Sequence, residues 1–166
     1  KMNEYKVSRE DLRKWCSIPV DELEDNPNRK MNLMMGEDKT ALSEKVGNIM
    51  TDEIIKHNSE GRKTVWVLPG GMSGVYDTFI HRVNEEKISL KDLYVFHIDQ
   101  WLDWEYRLLP VTNLRFSMKG KMTQSFYAKI NPELNVPGDQ RFFPAPENPD
   151  LIDKEIEELG GVDTVL

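Results

Sequence analysis

The chain has 166 residues, 39% of them hydrophobic and 31% charged, a balance that suits one globular domain with a buried core. Its net charge of −7 argues against nucleic acid or an anionic membrane surface as the main partner, because both select for excess Lys and Arg. No apolar run approaches the ~20 residues of a membrane span, no secretion-signal core opens the chain, and Cys16 is alone, so a cytoplasmic protein without an intrachain disulfide is expected.

Residues 1–30 read as a charged N-terminal extension with two short helices. Ser8 and Asp11 have the spacing of a capping box ahead of Leu12 and Trp15. Pro19 opens a second helix through VDELED, which NPN at 26–28 breaks. Residues 31–166 read as an α/β domain. MNLMM (31–35) is a candidate short strand. From Asp38, the apolar positions Leu42, Val46, Ile49, Met50 and Ile54 recur at helical spacing, with Asp38 or Thr40 as the cap. NSEGRK ends that helix, and TVWVL (64–68) lacks polar alternation, the pattern of a strand covered on both faces.

After the glycine-rich VLPGGMSG (67–74), Val75, Phe79 and Val83 mark one helical stripe. LYVFHID (93–99) is a second apolar strand, and a polar, aromatic loop follows at 100–110. Helical spacing returns with Leu114, Met118, Met122 and Phe126. A Pro-rich connection holds a possible strand at 141–143; NPDLIDKEIEELGG is a capped helix ending at Gly160 or Gly161, and VDTVL begins a last strand. Strands and helices alternating at this spacing predict a parallel sheet in doubly wound, Rossmann-like helix/sheet/helix layers. Ligands bind such sheets at the carboxyl ends of the strands, where PGGMSG and DQWLDWEYR both begin.

Gly70 and Gly71 allow positive φ and close approach to a ligand. Met72, Ser73 and Gly74 would form the first turn of the next helix, whose open N–H groups favour an anion. The pattern fits neither a P-loop nor GxGxxG, so an ordinary turn and a phosphate cradle both stand. Asp99 ends a buried strand and is a candidate general base, partial burial adjusting its pKa; the alternative is a turn cap. His97 should share its face and is expected to pack or to support Asp99. His57 and His81 lie on helices and are expected in solvent, with no metal-ligand cluster. Trp101, Trp104 and Tyr106 could form an apolar lid or pack on a helix. Cys16 has no His nearby in sequence and is not expected to be a nucleophile.

Together, LPGGMSG, VFHIDQW and TNLRFSM…FY resemble the glucosamine-6-phosphate deaminase/isomerase family, over residues 31–166. That family has a PTGGTP-like turn after one strand and MDEY at the end of the next. The related 6-phosphogluconolactonases carry a DER-type motif, from which DQW is more distant. The resemblance implies that Gly70, Gly71, Met72 and Ser73 hold a sugar phosphate and that Asp99 moves a proton between C2 and C1 in an aldose–ketose step. It implies no metal and no organic cofactor, a small-molecule sugar phosphate as partner, and a homo-oligomer. Gln100 and Trp101 stand where the family has Glu and Tyr, which puts the exact sugar in question. The family's ring-opening His and basic phosphate ligands would come after Leu166. By this resemblance the chain is an N-terminal part of the catalytic domain, expected to be inactive alone and prone to self-association through its last strand. The function implied is conversion of an amino-sugar phosphate such as glucosamine 6-phosphate to fructose 6-phosphate and ammonia. The alternatives are a non-catalytic sugar-phosphate sensor, which usually carries a basic helix-turn-helix ahead of the domain, and a lactonase-like hydrolase.

Overall fold

The computed structural model describes residues 7–70 and 74–166. The chain divides into two compact units, Lys1–Glu37 and Asp38–Leu166.

In the first unit, helix α1 (Arg9–Cys16) starts at Ser8, whose hydroxyl oxygen accepts from the Asp11 amide at 3.0 Å, as the capping spacing predicts. The expected second helix shrinks to a single 3-10 turn at Val20–Glu22, because its carbonyls find no continuing helical partners before the NPN break. MNLMM forms no strand, and Met31, Leu33 and Met34 are exposed.

The second unit begins with α2 (Lys39–Ser59), capped by Asp38, whose carboxylate accepts from the Ala41 amide at 2.8 Å. Arg62 N bonds to His57 O and Gly61, at φ +63°, completes the helix end. There follow β1 (Thr64–Leu68), α3 (Asp77–Glu85), β2 (Leu93–His97), α4 (Met118–Ser125), β3 (Arg141–Phe142), α5 (Leu151–Glu158) and β4 (Thr164–Val165). Gly160 and Gly161, both at positive φ, end α5 with Gly161 N bonded to Ile156 O and Gly160 N to Glu157 O. The expected cap at the other end of α5 is not made by a side chain: Asp150 holds the position without a bond.

All pairings are parallel, in the order β3-β2-β1-β4. Register sets Trp66 opposite Val95 and Leu68 opposite His97, so these side chains share a face. That face buries Met50 and Ile54 of α2, Phe79 and Val83 of α3, and Met122 and Phe126 beside them in one cluster. Trp66 meets Phe79 edge-on at 5.3 Å, and Phe79 stacks on Phe126 at 5.8 Å. On the other face Phe96 stacks on its pairing partner Phe142 at 4.5 Å. The return from β3 to β4 runs opposite in direction to the steps from β1 to β3 and contains α5. The doubly wound α/β class read from the sequence is the one found.

The buried face of α2 differs from expectation. Leu42 and Ile49 are exposed, whereas Ser43, Gly47, Met50, Thr51, Ile54 and His57 are buried. Gly47 explains the rotation: a Cβ there would stand 2.6 Å from Thr78 Cβ and 2.9 Å from Phe79 N, so the helix approaches α3 through small residues. His57 is not solvated either. Nδ1 meets the Thr64 hydroxyl at 2.8 Å and Arg62 reaches its ring, closing the end of α2 onto β1. Asp163 joins them, accepting from Arg62 Nη1 at 2.8 Å and from the Val65 amide at 2.9 Å. The other predicted stripes hold, except that Leu114 lies ahead of α4 and is exposed. Among the described residues, no helix is long and apolar enough to cross a membrane.

Candidate functional site

Four parallel strands put all their carboxyl ends at one edge of the sheet. The chain steps from β1 through β2 to β3, then returns to β4 on the far side of β1, so the order reverses between β1 and β4. Loops leaving two strands at such a reversal part in opposite directions and open a crevice between them. Residues 69–76 leave β1 at that point.

Tyr76 closes the base of this turn by donating its O–H to the Pro69 carbonyl at 2.7 Å. Burial holds its phenol far above the usual range, so it remains a donor. Gly70 lies against α4: a Cβ there would be 3.0 Å from Met118 Sδ and 3.3 Å from Met118 Cβ, so any larger residue would press the Met118 side chain aside. Gly74, at φ +82°, turns the chain into α3. Gly71, Met72 and Ser73 lie outside the described residues.

On the adjacent strand, β2 ends at His97 rather than at residue 99. Pairing with β1 stops at Leu68↔His97, and Ile98 and Asp99 beyond it are exposed. The partial burial expected for Asp99 is therefore absent. Its carboxylate has neither a hydrogen bond nor an ion pair among the described residues. The alternation that would place His97 and Asp99 on one face ends with the strand.

His97 is 2% exposed, with both ring nitrogens engaged. A carbonyl only accepts, so Nδ1 donates to Leu68 O (3.3 Å) and Nε2 accepts from the Tyr127 hydroxyl (2.9 Å). Its ring stacks on Phe143 at 4.1 Å, and Arg141 lies 4.1 Å above the Tyr127 ring. Burial pushes the imidazole pKa down to about 4, against a small opposing effect of the Leu68 carbonyl. Neutral and with no free lone pair, His97 is a packed histidine that clamps the ends of β1 and β2 to the turn behind α4, as its sequence context suggests.

Gln100 reaches the start of α4, its Oε1 accepting from the Lys119 amide at 3.3 Å. With Leu102, Phe143, Pro144 and Pro146 it also lines a cleft of about 240 Å³ beside the start of α5. Trp101, 54% exposed, tilts against Phe116 at 6.1 Å. Trp104 and Tyr106 neither cover a site nor pack on a helix: they project from a small loop closed by the Leu102↔Leu108 bridge. Asp103 braces that loop through the amides of Glu105 and Arg107 and the Arg107 guanidinium. The Arg107 amide and side chain and the Glu105 amide hold its carboxyl below the usual range against the opposing effect of burial.

The supporting roles of four residues escaped the sequence reading. Ser117 caps α4 through the Gly120 amide at 3.1 Å, a signal visible only once the helix start is known. Gly120 admits the passing loop, since a Cβ there would stand 2.0 Å from the Val111 carbonyl oxygen. Phe143 and Tyr127 meet His97 from 46 and 30 residues away, distances that no local pattern encodes.

No protein family and no curated protein matches the sequence. Among solved structures, a monomeric glucosamine-6-phosphate deaminase, described as a missing link of the NagB superfamily, superposes with a TM-score of 0.60 at 18% identity. The match covers 80% of this chain and 53% of that one, so the chain spans about half the length of the deaminase. The two share a fold: a parallel sheet with flanking helices.

Proposed function

We propose that the protein acts as a sugar-phosphate isomerase/deaminase, converting an amino-sugar phosphate such as glucosamine 6-phosphate to fructose 6-phosphate and ammonia. One observation carries this reading. The glycine turn leaving β1 and Asp99 just past β2 stand at the carboxyl ends of two paired strands, next to the reversal in strand order. The fold shared with a glucosamine-6-phosphate deaminase supports it.

In this reading Gly70, Gly71, Met72 and Ser73 hold the phosphate through backbone N–H groups at the opening of α3. Gln100 and Trp101 flank the sugar. An open-chain amino aldose carries an acidic C2–H beside its carbonyl. Asp99 takes that proton and returns it to C1, which moves the double bond to C2 and its nitrogen. Water then adds at C2 and ammonia leaves. An exposed carboxylate with no partner among the described residues is free to make both transfers.

The test is to follow, with the whole gene product that contains these residues, ammonia release from glucosamine 6-phosphate and, separately, hydrolysis of 6-phosphogluconolactone. Ammonia release supports the proposal. Turnover of the lactone alone makes the protein a hydrolase, and saturable binding of the amino-sugar phosphate with neither product makes it a sensor.

A further inference from the structure

Helices α2 and α3 are in close contact where Gly47 faces Thr78. Toward their N-termini they part, and a cleft of about 450 Å³ opens between their first turns. Lys39, Thr40, Ser43 and Glu44 line one side; Gly74, Asp77 and Thr78 line the other. Among the described residues, no apolar side chain larger than a methyl group lines this space.

Two helix N-termini meet here, and each carries open N–H groups and a positive end. Asp38 satisfies the Ala41 amide and its carbonyl satisfies Leu42, which leaves the Lys39 and Thr40 amides without partners among the described residues. Ser43 supplies an independent sign. It is only 9% exposed, yet its hydroxyl has no hydrogen-bond partner among the described residues, not even the carbonyl one turn back. It is also not among the side-chain atoms sealed from solvent without a partner, so its hydroxyl keeps access, and the space it borders is this cleft. A nearly buried hydroxyl left open in this way calls for a ligand.

The carboxylates in the lining do not oppose an anion strongly. Asp77 is paired with Lys129 at 3.0 Å, and the lining residues Glu44 and Lys39, of opposite charge, are both exposed. What remains open are the Lys39 and Thr40 amides and the Ser43 hydroxyl, beside the Asp38 carboxylate that caps α2.

We infer that the cleft between the first turns of α2 and α3 binds a tetrahedral oxyanion, a phosphate group either free or carried on a small metabolite. The Ser43 hydroxyl and the Lys39 and Thr40 amides donate to its oxygens. These donors all belong to α2, whereas the proposed isomerase site uses the opening of α3; Gly74 borders both, so variants of α2 distinguish the two readings.

Titration of the whole chain with inorganic phosphate, followed through backbone amide resonances, tests this. Saturable shifts are expected at Thr40, Ser43 and Thr78. Ser43→Ala should weaken binding about tenfold, the effect of one hydrogen bond to a charged group. The exposed Thr40→Asp should abolish it by repulsion, with an unchanged melting temperature showing that the fold survives. Shifts confined to residues 69–76, or affinity unchanged in both variants, would overturn the assignment. Glucose 6-phosphate shifting the same amides at lower concentration than phosphate supports the site with a carried phosphate, and equal affinity supports it with the free ion.

Discussion

The imidazole of His97 and the phenol of Tyr127 are bonded at 2.9 Å, joining the carboxyl end of β2 to the turn behind α4. Both are buried, so removing one partner strands the other. Tyr127→Phe should lower stability by about 1–3 kcal/mol, the usual consequence of an orphaned buried acceptor. Urea unfolding measures it, and a midpoint equal to wild type would show that the bond contributes nothing.

The same burial makes stability depend on pH. With a folded pKa near 4 against the ordinary 6.5, the unfolded chain binds the extra proton first as pH falls. Stability contributed by neutral His97 is complete above about pH 6.5 and is lost progressively toward pH 4. The interval corresponds to roughly 3 kcal/mol. Comparing urea midpoints of wild type and His97→Gln across that window isolates the effect from the carboxylates. The variant should show the shallower slope.

Asp99→Asn keeps the shape of the side chain and removes its capacity to take a proton. If the proposed chemistry is right, kcat falls about a hundredfold or more while KM changes little. Near-normal kcat would move the base elsewhere, and the double engagement of His97 rules that residue out as its replacement.

Gly47→Ala sets helix propensity against packing. Alanine favours an exposed helix interior by about 1 kcal/mol. At this crossing its Cβ would lie 2.9 Å from a backbone nitrogen, which cannot rotate away. Overpacking of this kind costs about 1–3 kcal/mol, so net destabilisation is expected in thermal or urea unfolding. A more stable variant would mean that α2 and α3 separate freely.

Local order along this chain is written in local chemistry. The caps at Ser8 and Asp38, the uninterrupted strands TVWVL and LYVFH, the stripe of Phe79 and Val83, and the glycine stop after α5 each depend on residues within a turn or two of one another. Their alternation was enough to imply a parallel sheet and the edge at which its loops would gather, and so to bring Gly70 and Asp99 under notice.

Tertiary structure decided what those loops experience. α2 turned its small face inward because Gly47 allows α3 within contact distance, and close approach there outweighs burying Leu42 and Ile49. His57 left solvent because Thr64 and Arg62 met it at the end of α2. Asp99 came to stand in solvent because pairing between β1 and β2 stops two residues before it. Which face a residue shows, and where a strand's cover ends, depend on partners 30 or more positions away, as Tyr127 is from His97. Periodicity records a residue's neighbours along the chain; only packing brings together those across it.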